Sequence, residues 1–128
     1  MTDPAFLIDS NIAIYILEGR EAALREAIEA RNPGEVVISA ISYAEVMRGI
    51  DSRDEVRDAR ARRLFAAFPV MAFDMAAAEV YRRMPFRRAR FDSLIAAHAI
   101  SLGLVLVTNN ERDFAGIPSL RVENWTKK

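Results

Sequence analysis

The chain has 128 residues, the length of one domain that can bury a core of its own. Its 52% hydrophobic and 28% charged residues place it outside the disordered range, and no apolar run approaches the roughly 18 residues of a spanning helix. Zero net charge from 18 basic and 18 acidic residues excludes a generic basic nucleic-acid coat, the absence of cysteine excludes thiolate chemistry and cysteine-held metals, and a lone histidine, His98, excludes any two-histidine mechanism.

In chain order, Phe6-Leu7-Ile8 is a short apolar run that reads as a buried strand, ending at Asp9. A helix is expected from Ile12 to about Glu18, closed by Gly19, and a second from Glu21 to Arg31, stopped by Asn32-Pro33-Gly34. Val36-Val37-Ile38 is the second strand. Ser42 to Arg48 and Asp54 to Phe68 are helical, and Val70 to Phe73 is the third strand. Met75 to about Met84 is helical up to Pro85. Asp92 to Leu102 forms a helix ended by Gly103, and Leu104 to Thr108 the fourth strand. Leu120-Arg121-Val122 is a candidate fifth strand. Continuously apolar strands separated by helices imply a parallel sheet covered on both faces, hence a three-layer α/β/α domain with four to five strands spanning residues 1–128. The N-terminus carries no basic region followed by a long apolar stretch, so a cytoplasmic protein without a secretory leader is expected.

Ligands of such sheets bind beyond the carboxyl ends of the strands. Four acids fall at those positions. Asp9 follows strand one, Glu45 lies one turn into the helix after strand two, Asp92 opens the helix before strand four, and Asp113 follows strand four. Asp92 joins the others only if its helix runs back toward that edge. Taken singly, each has a structural explanation: Asp9 and Asp92 precede helices as N-caps do, Ser42-Tyr43-Ala44-Glu45 fits a capping box, and Asp113 can cap a short turn. Taken together, converging carboxylates repel, and they need a cation or a raised pKa. Oxygen-only ligation suits Mg2+ or Mn2+, and such a site can activate water and stabilise an in-line displacement at phosphorus. Metal-assisted phosphodiester hydrolysis is the chemistry that follows.

Four segments, Leu7-Ile8-Asp9-Ser10-Asn11, Ile38 to Glu45, Phe91 to Ala99 and Leu106 to Phe114, together with Arg121-Val122-Glu123-Asn124-Trp125, resemble the PIN-domain ribonucleases, specifically the VapC toxins of toxin–antitoxin pairs. The resemblance runs from Phe6 to Trp125. It implies a PIN fold and an Mg2+- or Mn2+-dependent endoribonuclease whose products carry 5′-phosphate and 3′-hydroxyl ends. Matched by position, Asp9, Glu45 and Asp92 are the core acids. Many members place the fourth acid two residues after the threonine, where this chain has Asn110; Asp113 is the best match, with Asn110 as a polar positioner. Asp9 and Asp92 would hold the main metal, while Glu45 and Asp113 would act through water or a second ion. Ser10, Asn11 and Thr108 would orient water or the carboxylates. The resemblance also implies an RNA substrate, a cognate antitoxin protein, and a homodimer that assembles with antitoxin into a heterotetramer or larger complex.

Arg82, Arg83, Arg87, Arg88 and Arg90 crowd together before Asp92. They read either as a solvated basic stretch or as a phosphate grip that offsets repulsion between RNA and the acids. Many members of the family that the chain resembles have a longer connection here, often with glycine and proline before the aspartate. The arginine-bordered helix Asp54 to Phe68 reads as an amphipathic surface helix, or as part of an antitoxin groove. His98 reads as a packed histidine rather than a ligand, Trp125 as an anchor for the tail, and Tyr15 and Tyr81 as core or dimer-face residues. A phosphatase using an aspartyl-phosphate fits poorly, because Asn11 stands where its second acid belongs and Lys127 and Lys128 are the only lysines. The remaining alternatives are a non-catalytic PIN-like binding module and a PIN-type nuclease acting on DNA.

Overall fold

The computed structural model describes residues 3–85 and 90–127. Its centre is a five-stranded sheet in the order β3-β2-β1-β4-β5, parallel throughout. The strands are β1 (Phe6–Ile8), β2 (Val36–Ser39), β3 (Val70–Met71), β4 (Val105–Val107) and β5 (Val122–Glu123). The helices are α1 (Ser10–Glu18), α2 (Ala22–Glu29), α3 (Ala40–Arg48), α4 (Glu55–Ala67), α5 (Met75–Arg83), α6 (Arg90–Leu102) and the short α7 (Glu111–Phe114). The chain lays β2 and β3 to one side of β1, then crosses to lay β4 and β5 on the other. The strand order therefore reverses between β1 and β4, and a crevice opens where the connections diverge.

Alternation along the strands makes two cores. Phe6, Ile8, Val36, Ile38 and Val107 pack with Ile12 and Ala13 of α1, Leu24 of α2, and Leu64 and Phe65 of α4. Leu7, Val37 and Leu106 point the other way, onto Ile95, Ala96 and Ala99 of α6 and onto Phe114 and Ile117. This is why β1 and β4 are apolar at every position: both faces are covered. Small residues on α6 let that helix lie close to the sheet, and Gly103, with φ of 69°, supplies the left-handed turn from α6 into β4.

Several boundaries differ from the sequence-based expectation, each for a local reason. Helix α1 starts at Ser10 rather than Ile12, because the Asp9 carboxylate caps it by accepting from the Ile12 N–H at 2.9 Å. Helix α3 starts at Ala40 rather than Ser42. Its cap is Ser39, whose Oγ accepts from the Ile41 N–H at 3.0 Å. Ser42 is instead buried inside the helix and has no hydrogen-bond partner among the described residues. The Ser42–Glu45 capping box is therefore absent, which leaves the Glu45 carboxylate for another partner. Helix α6 begins at Arg90, so Asp92 sits in its first turn and is not its cap. Strand β3 ends at Met71, before the Asp74 cap of α5, and α7 was not expected.

Trp125 pins the C-terminal segment to the first core. It is 7% exposed, its ring meets Phe6 edge-on at 4.8 Å, and Arg31 stacks over both rings. Trp125→Ala removes that anchor and should cost about 3–5 kcal/mol, read as a lower urea midpoint in far-ultraviolet circular dichroism.

Candidate active site

Parallel pairing aligns the carboxyl ends of the strands, and the register Ile8 with Val107 brings Asp9 and Thr108 side by side at the reversal between β1 and β4. The Asp9 N–H donates to the Val107 carbonyl at 3.0 Å, so the aspartate is fixed by backbone on its strand side. Its carboxylate is buried, capped by the Ile12 N–H and hydrogen-bonded by Thr108. Asp9 is thus both an N-cap and the floor of a site. Thr108 is fully buried, and its Oγ1 also accepts from the Asn110 N–H at 3.1 Å.

The other three acids reach this floor from separate elements. Glu45 projects from α3, and the Ser10 hydroxyl donates to its Oε1 at 2.6 Å. Asp92 comes from the first turn of α6, which does run back to this edge, since its charge acts on Asp9. Asp113 lies on α7, and Asn110 Nδ2 donates to its Oδ2 at 2.6 Å. The structure therefore brings Asp9, Glu45, Asp92 and Asp113 together. Ser10, Thr108 and Asn110 each hold one of them. Asn11 does not: its side chain is exposed and makes no hydrogen bond to Asp9 among the described residues, and the Ile12 N–H does that work.

Among the described residues, no arginine or lysine forms an ion pair with Asp9, Glu45 or Asp92. Burial pushes the Asp9 carboxyl up to about 6, against the downward pull of the Thr108 and Ile12 hydrogen bonds, and the charges of Asp92 and Glu45 add to the rise. Asp92 is raised for the same reasons: burial first, then the charges of Asp113 and Glu45. Among the described residues, no three acidic or histidine side chains are drawn together tightly enough to form a finished cation cage. Ser10, Thr108 and Asn110 each bond a different carboxylate. An all-oxygen set suits a hard, hydrated cation, and Mg2+ is usually held by one or two carboxylates while keeping several waters. Asp9 and Asp92 fit the direct positions, and Glu45 and Asp113 the outer ones.

Of the expected phosphate grip, Arg82 and Arg83 end α5 with exposed side chains that both reach Glu79, at 3.4 and 3.8 Å. Arg90 is exposed at the start of α6, and Arg87 and Arg88 lie outside the described residues. A groove of about 170 Å³ between α1, α3 and α4 is lined by Leu17, Val46 and Ile50 together with Glu45, Arg57 and Arg60. Residues that the sequence did not single out also shape the site. Asn109, next to Thr108, donates from Nδ2 to the Tyr15 hydroxyl at 2.9 Å and ties the end of β4 to α1. The adjacent Thr-Asn-Asn run was the available signal, but only the fold shows that its first asparagine faces Tyr15.

Because folded Asp9 holds its proton more tightly than the unfolded chain does, stability falls as pH rises from about 4 to about 6, and the buried charge remains a penalty above that window. A rise from 3.8 to about 6 corresponds to something on the order of 1–3 kcal/mol. Asp9→Asn should therefore raise Tm at pH 7 by about 5 °C and give little gain at pH 4, as measured by calorimetry in the presence of chelator.

Comparisons with known proteins agree with this geometry. Residues 6–120 match the family model of the PIN domain. The tRNA(fMet)-specific endonuclease VapC of Shigella flexneri is 32% identical, over 94% of this chain and 98% of its own. Among solved structures, the DNA-bound VapBC of Salmonella typhimurium superposes with a TM-score of 0.85 at 29% identity, covering 95% of this chain and 98% of that one. A toxin–antitoxin complex from Klebsiella pneumoniae superposes with a TM-score of 0.75 at 30% identity, covering 94% and 98%. With its parallel sheet, its acids gathered where the strand order reverses, and these matches over nearly its whole length, the chain belongs to the PIN-domain family and to the VapC toxins within it.

Proposed function

We propose that the chain is an Mg2+- or Mn2+-dependent endoribonuclease that acts as the toxin of a toxin–antitoxin pair. The observation that carries this reading is the gathering of Glu45, Asp92 and Asp113 around a buried Asp9, with no cationic partner for Asp9, Glu45 or Asp92 among the described residues. Asp9 and Asp92 would bind the cation, with Glu45 and Asp113 acting through water or a second ion. When bound, the metal would supply a nucleophilic water at neutral pH and stabilise charge in an in-line displacement at phosphorus. The chain's own residues then have separate tasks. Thr108 and the Ile12 N–H keep Asp9 ionisable despite burial, Ser10 aims Glu45, and Asn110 aims Asp113. Arg82, Arg83 and Arg90, with Arg87 and Arg88, would hold flanking phosphates and offset the repulsion between acids and RNA. Products with a 5′-phosphate and a 3′-hydroxyl are expected.

An RNA substrate is favoured by the relative named for its action on a transfer RNA. A protein inhibitor is favoured by the toxin–antitoxin complex with the same fold. The groove between α1, α3 and α4 offers such a partner an apolar floor beside Glu45, and an amphipathic helix is the shape that fits it. The assembly expected is a homodimer that forms a heterotetramer or larger complex with antitoxin, in the cytoplasm. Among the described residues, no helix is long and apolar enough to cross a membrane.

The test is cleavage of a total RNA pool and of a single-stranded DNA by purified protein, with Mg2+, Mn2+ or chelator. Metal-dependent cuts at defined RNA sites, reduced at least about 100-fold in Asp9→Asn and Asp92→Asn, are expected, since each change removes a carboxylate that would hold the cation stabilising charge in the transition state. The same cutting pattern in both variants would sink the nuclease reading. Cutting confined to DNA would replace the RNA substrate with DNA.

A further inference from the structure

His98 takes no part in the acid cluster, yet it is fully buried and is the one histidine of the chain. Its Nδ1 lies 2.8 Å from Ser39 Oγ, a residue 59 positions away. Ser39 ends β2 and caps α3, accepting from the Ile41 N–H through the same oxygen. On its other side the ring meets Phe73 edge-on at 5.4 Å, with the Ala72 carbonyl nearby. The ring's Nε2 is buried and makes no hydrogen bond among the described residues, so Nδ1 is its polar anchor, and Ser39 Oγ can pair with it in either tautomer. One neutral ring thus joins α6, the start of α3 and the segment between β3 and α5.

The positions of the two ends matter. Asp92 precedes His98 by six residues on α6, and Glu45 follows Ser39 by six residues on α3. At about 1.5 Å per residue, each acid stands less than two turns from the joint, on rigid helix. We infer that His98 is a positioning residue: its hydrogen bond to Ser39 sets the separation of the helices that carry Asp92 and Glu45, and with it the capacity of the acid cluster to hold a divalent cation. This rests on the metal-dependent reading above. Replacing His98 alone leaves the buried Ser39 hydroxyl without its partner and costs stability by itself, so a positioning role has to be separated from that cost by a control that loses stability elsewhere.

The experiment compares wild type, His98→Leu, His98→Asn and Leu24→Ala. Leucine fills the space without an acceptor, while asparagine restores a polar atom at the δ position. Leu24 is buried in the first core on α2 and carries no part of the site, so its loss costs stability alone. Three readouts are taken on folded protein: free Mn2+ by electron paramagnetic resonance, kcat and KM on RNA, and the distance between spin labels at Ala44→Cys on α3 and Phe91→Cys on α6. The cysteine-free chain makes the labels site-specific. The expected result is Mn2+ binding weakened about tenfold in His98→Leu, kcat reduced with KM little changed, and a shifted label distance. All three should recover in His98→Asn and stay at wild-type values in Leu24→Ala.

A wild-type Mn2+ affinity and label distance in His98→Leu would overturn the inference, and so would equal losses in Leu24→Ala. If His98→Leu fails to fold, His98→Asn is compared with His98→Gln, which places its amide at the ε position. Gln performing as well as Asn would then overturn the inference. If wild type binds no Mn2+, the metal reading fails instead, and the label distance still decides whether His98 sets the helix separation.

Discussion

A carboxylate buried at the end of the central strand is costly, and the surroundings of Asp9 can be understood as the means of keeping it there. Its backbone is locked to β4, its side chain caps α1, and Thr108 gives it a further hydrogen bond. Each of these favours the charged form, while burial and the neighbouring acids oppose it. Burial wins, so the Asp9 carboxyl is raised at the place where the strand order reverses, and no ion pair among the described residues relieves Asp9, Glu45 or Asp92. A protein keeps such strain when something outside the chain relieves it, and a divalent cation carried with substrate phosphates would do so.

The structural and chemical roles of the acids are not alternatives. An N-cap sits where the orphan N–H groups of a helix point outward, which is also where a carboxylate is electrostatically cheapest to hold. Asp9 uses that position to survive burial. Asp92, in the first turn of α6, gains from the same end of a helix dipole without capping it. Glu45 is released for the site because α3 begins earlier than its serines imply, with Ser39 taking the cap and Ser10 taking the glutamate. Asp113 depends on a four-residue helix and on Asn110, so it is the acid held least deeply, exposed at the rim.

Away from the site, the fold is held by apolar packing more than by charge. The ion pairs among the described residues sit at the surface and join residues near in sequence, with the exception of Lys127 to Glu111. Such pairs contribute little. The exposed arginines at the end of α5 are thereby left with weak structural duties. Arg82 and Arg83 share one glutamate, and both remain largely exposed.

Local chemistry was enough to reveal most of the elements. Apolar triplets marked β1, β2 and β4, Gly19 and Gly103 marked the ends of α1 and α6, and the placement of Asp9, Glu45, Asp92 and Asp113 beside strands and helix starts pointed to hydrolysis of phosphodiesters. Those signals are legible because they depend on residues within a turn or two of one another. Tertiary structure alone decided what depends on distant pairing. It chose Ser39 over Ser42 as the cap of α3, because Ser39 is where β2 ends against the sheet. It turned Glu45 to Ser10, 35 residues away, set Asn109 against Tyr15 across 94, and joined His98 to Ser39 across 59. It also decided that α6 runs back to the edge where Asp9 lies, which no local pattern specifies, since a helix of the same sequence can pack in either direction until the sheet order fixes it.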